Sequence, residues 1–310
     1  MQSRRHFLKS TLVGSTVLLA NNPQQVFAAN AATDLCILHT NDVHSRIEPF
    51  PSNDKKYPNM GGIAMRKTLL DNIRKQESNT LLLDAGDIFQ GTPYFNFFHG
   101  DVEIDMMNLL GYNAATIGNH DFDGGIDVLA KQIKRANFPF VNCNYDFSNT
   151  IVNGLVHKKV IIKKGKLKIG ITGCGVALDG LVPNQLYKET KYIEPIEAVQ
   201  EQVNQLKQQD QCDLIICLSH LGYKYDNDKV SDHTLANAVK NLDLIIGGHT
   251  HTFLEVPTMI TNKWNQQVII NQVGWAGLYL GQLNFKFEKK SKKYLSKHHT
   301  VIVDKKSIEK

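Results

Sequence analysis

The sequence predicts an α/β fold with mixed sheets. Short apolar runs bounded by turn residues alternate with segments of helical periodicity, the pattern of buried strands that alternate with helices. Strands are predicted at residues 35–39, 80–84, 114–117, 138–142, 167–173, 213–219 and 243–247. Helices are predicted at 62–76, 101–110 with Asp101 as a cap, 124–137, 195–209 and 231–241. A hairpin of 156–162 with 167–173, and late strands at 268–271 and 279–287, add antiparallel pairs.

Composition restricts the class of protein. The 310 residues are 42% hydrophobic and 21% charged, ordinary globular values that disfavour disorder, collagen-like repeats and coiled coil and allow one or two domains. The net charge is +5, and removing Arg4, Arg5 and Lys9 from the first 28 residues leaves +2. A nearly neutral body argues against a nucleic-acid polymer as partner and favours a soluble enzyme or binding protein. The oligomeric state stays open.

The first 28 residues have the order of an export signal: a charged start, an apolar middle at residues 11–20 and small residues at 26–29. Arg4 and Arg5 before the uncharged stretch resemble a twin-arginine signal, which implies a folded protein exported to the periplasm or secreted. Cleavage after Ala28 or after Ala31 fits. No apolar segment approaches the ~20 residues of a membrane-spanning helix, so no transmembrane span is expected.

The five cysteines are odd in number and include no Cys-x-x-Cys pair, so they do not resemble a disulfide framework. Most lie in or beside apolar runs, where a small buried hydrophobic residue is the better interpretation. We assign no catalytic role to any of them: Cys36, Cys143, Cys174, Cys212 and Cys217.

Polar residues that can hold a metal follow five of the apolar runs. In an open α/β sheet ligands gather at the carboxyl ends of strands, so the five loops predict one site. The pairs Asp42 with His44 and His249 with His251 are spaced by two, which in extended backbone directs both side chains to one side, so that each pair can grip one ion. A single histidine is more often structural, but five clusters reverse that expectation. Imidazole and carboxylate without cysteine suit Mn, Fe, Co, Ni or Zn.

These clusters resemble the motifs of the calcineurin-like metallophosphoesterases, and more narrowly those of the bacterial 5′-nucleotidase and UDP-sugar hydrolase family. The motifs are Leu38-His-Thr-Asn-Asp-Val-His44, Gly86-Asp87, Gln90-Gly-Thr-Pro93, Gly118-Asn-His-Asp-Phe-Asp123, His220 and Gly248-His-Thr-His251. The resemblance covers roughly residues 35–287. It implies a four-layer α/β/β/α sandwich over residues 29–287, after a signal peptide at 1–28 and before a basic tail or linker remnant at 288–310.

The resemblance also implies the site. Two divalent metal ions are expected, one bound by Asp42, His44, Asp87 and His251, the other by Asp87 as a bridge with Asn119, His220 and His249. Two such ions against two carboxylates leave about +2, which attracts a phosphate, and a metal-bridging hydroxide is the implied nucleophile. His120 is the expected general acid, oriented by Asp123. For Asp123 alone, a helix N-cap before Gly124 explains the sequence almost equally well. Asp84 and Asp121 have no assigned partner.

The implied function is that of an exported phosphohydrolase, a 5′-nucleotidase that releases phosphate from nucleoside 5′-monophosphates. The alternatives are a phosphodiesterase or pyrophosphatase for cyclic nucleotides or UDP-sugars and, from another class, a surface binding module without turnover. Family members usually continue into a C-terminal domain that binds the base, and this chain ends about where that domain would begin. We therefore expect either relaxed specificity or a separate substrate-binding partner. An aromatic run could stack a base or pack in the core: Tyr94, Phe95, Phe97, Phe98 and His99.

Overall fold

The structure is a computed structural model that describes residues 33–288 and 293–309. The signal peptide expected at 1–28 lies outside these residues. The strands are β1 Thr33–Thr40, β2 Thr80–Asp84, β3 Ala114–Ala115, β4 Tyr145–Asp146, β5 Lys159–Lys164, β6 Leu167–Gly175, β7 Lys191–Tyr192, β8 Leu214–His220, β9 Leu244–Gly247, β10 Thr258–Thr261, β11 Gln267–Asn271, β12 Tyr279–Phe287 and β13 Lys293–Ile302.

The α-helices are α1 Ile63–Gln76, α2 Pro93–Phe98, α3 Asp101–Leu110, α4 Ile126–Arg135, α5 Asn184–Tyr187, α6 Pro195–Asn204, α7 Asp232–Ala238 and α8 Lys305–Ile308. A 3₁₀ turn occupies His120–Phe122, and a π-helical turn, Gln205–Gln209, continues α6.

Two sheets form the centre of the fold. The first has the order β13-β12-β1-β2-β3, and the second β10-β11-β9-β8-β6-β5. In the first, β1 pairs parallel with β2 and antiparallel with β12. In the second, β6, β8, β9 and β11 are parallel, and the edge strands β5 and β10 are antiparallel to their neighbours. The expectation of mixed sheets is therefore confirmed.

The two sheets pack face to face with helices outside them. One core lies between the sheets, where Ile37 and Leu83 of the first meet Ile169, Ile216 and Ile246 of the second. A second core packs α1, α3 and α4 on the outer face of the first sheet, and a third packs α6 and α7 on the second. Burial on both faces explains why β8 reads as a continuous apolar run. This is the expected four-layer α/β/β/α sandwich.

Some local predictions are wrong. Residues 138–142 form only isolated bridges, Ala115 with Phe140 and Val141 with His157, and no strand. Asp101 is the first residue of α3 and not its cap, which is Gly100 at φ 93°. The chain reaches that helix through left-handed backbone, a conformation that glycine adopts without strain.

Part of the expected tail at 288–310 folds onto the sandwich. Lys293–Ile302 forms the edge strand β13, paired antiparallel with β12, and Val303 after it is buried in the core beneath α1. Alternating exposure along an edge strand lets lysine and histidine occupy the solvent side. All five cysteines are buried and free, as their number and spacing predict. No helix in the described part of the chain is long and apolar enough to cross a membrane.

Candidate metal centre

The loops after five strands meet at one end of the sandwich. Asp42 and His44 follow β1, Asp87 follows β2, Asn119 follows β3, His220 ends β8, and His249 and His251 follow β9. The first three loops come from one sheet and the last two from the other. The side chains converge in two adjacent groups, Asp42 with His44 and His251, and Asp87 with His220 and His249. Parallel strands in both sheets therefore produce the convergence that the strand-end pattern predicts.

The first group combines one carboxylate with two imidazoles. His44 Nε2 lies 3.1 Å from His251 Nε2, and His251 Nε2 lies 3.3 Å from Asp42 Oδ1. His44 is buried, whereas 40% of the His251 side chain is exposed. The Nε2 atoms of His44 and His251 are so close that their lone pairs would repel each other if both faced inward. Both lone pairs can be satisfied if the two nitrogens bind one cation.

The second group is more deeply buried. His220 is fully inaccessible, its Nδ1 lies 2.7 Å from the carbonyl oxygen of Ala85, and its Nε2 lies 3.0 Å from Asp87 Oδ2. That Nε2 makes no well-formed hydrogen bond with any described residue. His249 Nδ1 lies 2.8 Å from Asn119 Oδ1, which adds the amide to the group. The Ala85 carbonyl fixes Nδ1 as the protonated nitrogen and leaves Nε2 free for a metal.

Asp87 lies between the two groups. Its Oδ2 is 3.0 Å from His220 Nε2 and 3.8 Å from His44 Nε2, so one carboxylate reaches both sets of side chains. Its Oδ1 accepts a hydrogen bond of 2.8 Å from the backbone of His120. The position suits a carboxylate shared by two cations.

The electrostatics favour a cation in this pocket. Burial alone would lower the pKa of His220, but the carboxylates of Asp87 and Asp42 raise it to about 10. Burial lowers the pKa of His249 to about 4 and also lowers that of His44. The buried carboxylates therefore stabilise positive charge beside His220, while the other two rings stay neutral and keep a lone pair for a ligand. Buried oxygen and imidazole nitrogen donors fit a first-row divalent metal.

The backbone at these residues differs from the extended chain that the spacing of two suggests. Five of the residues have a left-handed backbone: Asp42, His44 and His251 at φ 50°, Asp87 at 56° and His249 at 72°. Asp42 and His44 still fall in one group, but His249 and His251 fall in different groups. The expectation that the pair His249 and His251 binds one ion is wrong, because two residues with left-handed backbone on either side of Thr250 do not direct their side chains to one side as in a strand.

Glycines let these loops approach. A Cβ on Gly118 would lie 2.2 Å from Asp87 Oδ1, and a Cβ on Gly86 would lie 2.6 Å from the nitrogen of Gly118. Both contacts are too short for any side chain, so the glycine after each strand is required where the two loops cross.

His120 lies at the edge of the centre, next to Asn119. Its Nδ1 is 2.8 Å from Asp123 Oδ2, and its ring centroid is 5.3 Å from that of His44. The hydrogen bond to Asp123 raises the pKa of His120. Asp123 is not the N-cap of α4, which begins at Ile126 and has Gly125 as its cap; it ends the 3₁₀ turn instead. The N-cap interpretation of Asp123 is therefore wrong, and the carboxylate orients the imidazole.

Asp121 and Asp84, which have no partner in the sequence analysis, support the loops. The buried Asp121 carboxylate accepts hydrogen bonds from four backbone N–H groups, those of Gly118, Asp87, Ile88 and Phe89, at 2.8 to 3.1 Å. Asp84 accepts from the Thr40 hydroxyl at 2.6 Å and from the backbone of Gly86 at 2.9 Å. Three of the four donors to Asp121 lie about 30 residues away along the chain, so only the folded structure reveals this role.

The aromatic run after the Asp87 loop serves two purposes. Phe95 is buried and stacks on Phe89, as the core interpretation predicts. Phe97 is 75% exposed and Phe98 49% exposed on α2. Tyr94 is tied to Glu48 by a hydrogen bond of 2.9 Å from its hydroxyl. The exposed rings of the run are Phe97, Phe98 and His99, and Phe98 stacks on Tyr94 with ring centroids 6.4 Å apart.

The chain belongs to the calcineurin-like phosphoesterase family, whose pattern matches residues 36–253. It is 34% identical over 298 residues to a snake venom 5′-nucleotidase of Gloydius brevicauda, covering 89% of this chain and 49% of that protein. It is 33% identical over 315 residues to the 5′-nucleotidase of Homo sapiens, covering 95% and 53%. The chain therefore spans about half the length of these relatives.

A solved structure gives the same result. The 5′-nucleotidase precursor of Thermus thermophilus superposes with a TM-score of 0.81 at 30% sequence identity, covering 89% of this chain and 55% of that one. The family and the sandwich fold are thus those that the motifs predict, and divalent metal ions are what the family uses.

Proposed function

We propose that this chain is the catalytic part of a metal-dependent phosphohydrolase that acts on nucleoside 5′-monophosphates. The observation that carries the proposal is the position of Asp87 between two groups of metal-ligating side chains, beside a histidine oriented by its own carboxylate. The relatives named 5′-nucleotidase support the choice of substrate.

The chain's own residues define where two divalent ions would be held. Asp42, His44 and His251 would hold one, and Asn119, His220 and His249 the other, with Asp87 shared. Bound there, the ions supply Lewis-acid polarisation of the phosphoryl group and lower the pKa of water, which makes a nucleophile available near neutral pH. Nε2 of His220, which lies 3.0 Å from Asp87 Oδ2, is the nitrogen that would bind the second ion.

His120 would handle the proton on the leaving group. Its side chain is 40% exposed, so a substrate can reach the ring, and Asp123 holds Nδ1, which leaves Nε2 directed away from the carboxylate. Donation of a proton from His120 to the leaving ribose oxygen neutralises the charge that develops as the P–O bond breaks. The backbone N–H bond from His120 to Asp87 fixes this acid relative to the shared carboxylate.

Base recognition is a separate proposal. We infer that a separate substrate-binding partner contributes to recognition of the base. Phe97 and Phe98 on α2 offer one exposed apolar surface for such a partner.

The test is phosphate release by the purified chain with Mn²⁺ or Co²⁺. We expect release from AMP, little from bis(p-nitrophenyl) phosphate, and loss of activity with EDTA and in Asp87→Asn. Asp105→Asn is the matched control, since Asp105 pairs with Arg135 on the exposed surface. Preference for cyclic AMP or UDP-glucose would instead support the diesterase or pyrophosphatase alternative. A folded, metal-loaded chain without any turnover would support the binding module.

We also propose export through the twin-arginine pathway to the periplasm or the exterior. Arg4 and Arg5 before the apolar stretch support it, together with the need to fold around metal ions before translocation.

A further inference from the structure

Trp275 covers the exposed ligand of the first group. Its ring lies parallel to that of His251, with an interplanar angle of 7° and centroids 5.7 Å apart. Phe50 contacts Trp275 edge-on, with centroids 6.0 Å apart at 78°. His251 is 40% exposed, so this stacked contact limits the orientations of an imidazole that is otherwise open to solvent.

The segment that carries Trp275 is tied to the first group from both sides. The nitrogen of Ala276 donates to the carbonyl oxygen of Asp42 at 2.7 Å, and Asn41 Nδ2 donates to that of Gly274 at 2.6 Å. One short turn therefore fixes both the backbone of Asp42 and the plane of His251.

The turn that carries Trp275 packs against a side chain of α1. Gly274, Ala276 and Gly277 have left-handed backbone, with φ between 54° and 75°. The buried guanidinium of Arg66 on α1 lies against Gly277, where a Cβ would come within 1.7 Å of Nη2. Trp275 is thus fixed by the fold and is not an adaptable surface ring.

The second group has no counterpart to this arrangement among the described residues. There the carbonyl oxygen of Ala85 orients His220, and burial excludes solvent from its ring. The two groups therefore depend on different supports: a backbone carbonyl for one, and an aromatic plane for the other.

We infer that Trp275 is a positioning residue that sets the metal affinity of the Asp42, His44 and His251 group through the orientation of His251, and leaves the other group unaffected. The inference rests on the proposed function only in requiring that both groups bind a divalent ion. Residues that orient a metal ligand change affinity by about ten- to a hundredfold when replaced, and a stacked contact lies at the lower end of that range.

The experiment titrates the metal-free chain with Co²⁺ by calorimetry. We expect the wild type to bind two Co²⁺ ions. In Trp275→Ala, the affinity of one site for Co²⁺ should be about tenfold weaker, and the affinity of the other site should be unchanged. Trp275→Phe restores most of the affinity, because a ring still stacks on His251. Trp275→Leu keeps apolar packing on Phe50 without a ring, so it behaves like the alanine variant and replaces it if that variant does not fold.

Fluorescence gives a second readout that needs no activity. The chain has two tryptophans, and Trp264 lies in the turn between β10 and β11. Co²⁺ should quench emission in Trp264→Phe, where Trp275 remains, and leave it almost unchanged in Trp275→Phe.

The outcomes separate the two claims. A wild type that binds no Co²⁺ overturns the proposed metal centre itself. A wild type that binds two ions, with Trp275→Ala and Trp275→Leu unchanged or equally weakened at both sites, overturns the role of Trp275 alone.

Discussion

His120 Nδ1 lies 2.8 Å from Asp123 Oδ2, and the same histidine is tied through its backbone to Asp87. This contact couples an exposed imidazole to a carboxylate that both orients it and favours its protonated form. His120 therefore has the geometry expected of the proposed general acid, beside the carboxylate that we propose two metal ions share.

We expect His120→Ala to lower kcat for AMP by about a hundred- to ten-thousandfold, the range typical of a lost general acid, with both metals retained. The loss should be much smaller for p-nitrophenyl phosphate, whose leaving group needs no proton. Steady-state kinetics on both substrates with elemental analysis of the protein checks this. An equal loss on the two substrates, or a missing metal, would contradict the acid role. Asp123→Asn should show the same substrate pattern with a smaller effect.

Asp121 supports the loops of the centre, so its loss should destabilise the fold. Asp121→Ala leaves four backbone N–H groups without their acceptor, and a buried unsatisfied donor costs about 1 to 3 kcal/mol. We expect at least about 2 kcal/mol less free energy of unfolding by urea denaturation at neutral pH. Asp105→Asn, at an exposed ion pair, should cost less than about 1 kcal/mol. Similar losses of unfolding free energy in both variants would show that the Asp121 hydrogen bonds do not stabilise the fold more than an exposed ion pair does.

His39 makes stability depend on pH. It is fully buried between the sheets, its Nε2 is 2.8 Å from Asn271 Nδ2, and burial lowers its pKa to about 3. The unfolded chain takes up a proton near the ordinary pKa of 6.5, whereas the folded chain does not. Its contribution is therefore fully present above pH 6.5 and is lost as the pH falls from there toward 3, by about 1.4 kcal/mol per pH unit.

Comparison with His39→Gln tests this, because glutamine does not titrate. Between about pH 7.5 and about pH 5.5, the free energy of unfolding of the wild type should fall by about 1.4 kcal/mol more than that of His39→Gln. Parallel losses in the two proteins would show that other groups cause the acid sensitivity.

The export proposal predicts a dependence on the paired arginines. Arg4→Lys with Arg5→Lys should leave uncleaved precursor in the cytoplasm of a host that has twin-arginine export, since that pathway reads both guanidinium groups. Fractionation and intact mass measure the result, and the wild type should yield a mature chain beginning at Ala29 or Ala32. Continued export of the lysine variant would indicate a different route.

The candidate site could largely be predicted because its residues follow apolar strands. The runs before Asp42, Asp87 and His220 are buried on both faces, so the sequence marks where each strand ends and its loop begins. The directions of the side chains could not be predicted in this way. His249 and His251 diverge because both have left-handed backbone, which a spacing of two does not reveal.

Other features depend on contacts that are distant in sequence. The lysine-rich segment that forms β13 looks like a solvated tail, because an edge strand with one wet side carries little apolar periodicity. Trp275 and Asp121 contact partners that only the folded chain brings near. The sequence leaves Asp123 ambiguous for a related reason: its distance to α4 depends on where Gly125 turns the chain.

The left-handed backbone at Asp42, His44, Asp87, His249 and His251 affects any redesign of this centre. The direction of each Cα–Cβ bond is set by its loop, so copying the residue types into another sandwich would not reproduce the centre. A transplant has to carry the complete loops, with Gly86 and Gly118 where they cross. Substitutions by β-branched residues at the five positions should be rejected even where their chemistry is acceptable, because such residues resist this backbone conformation.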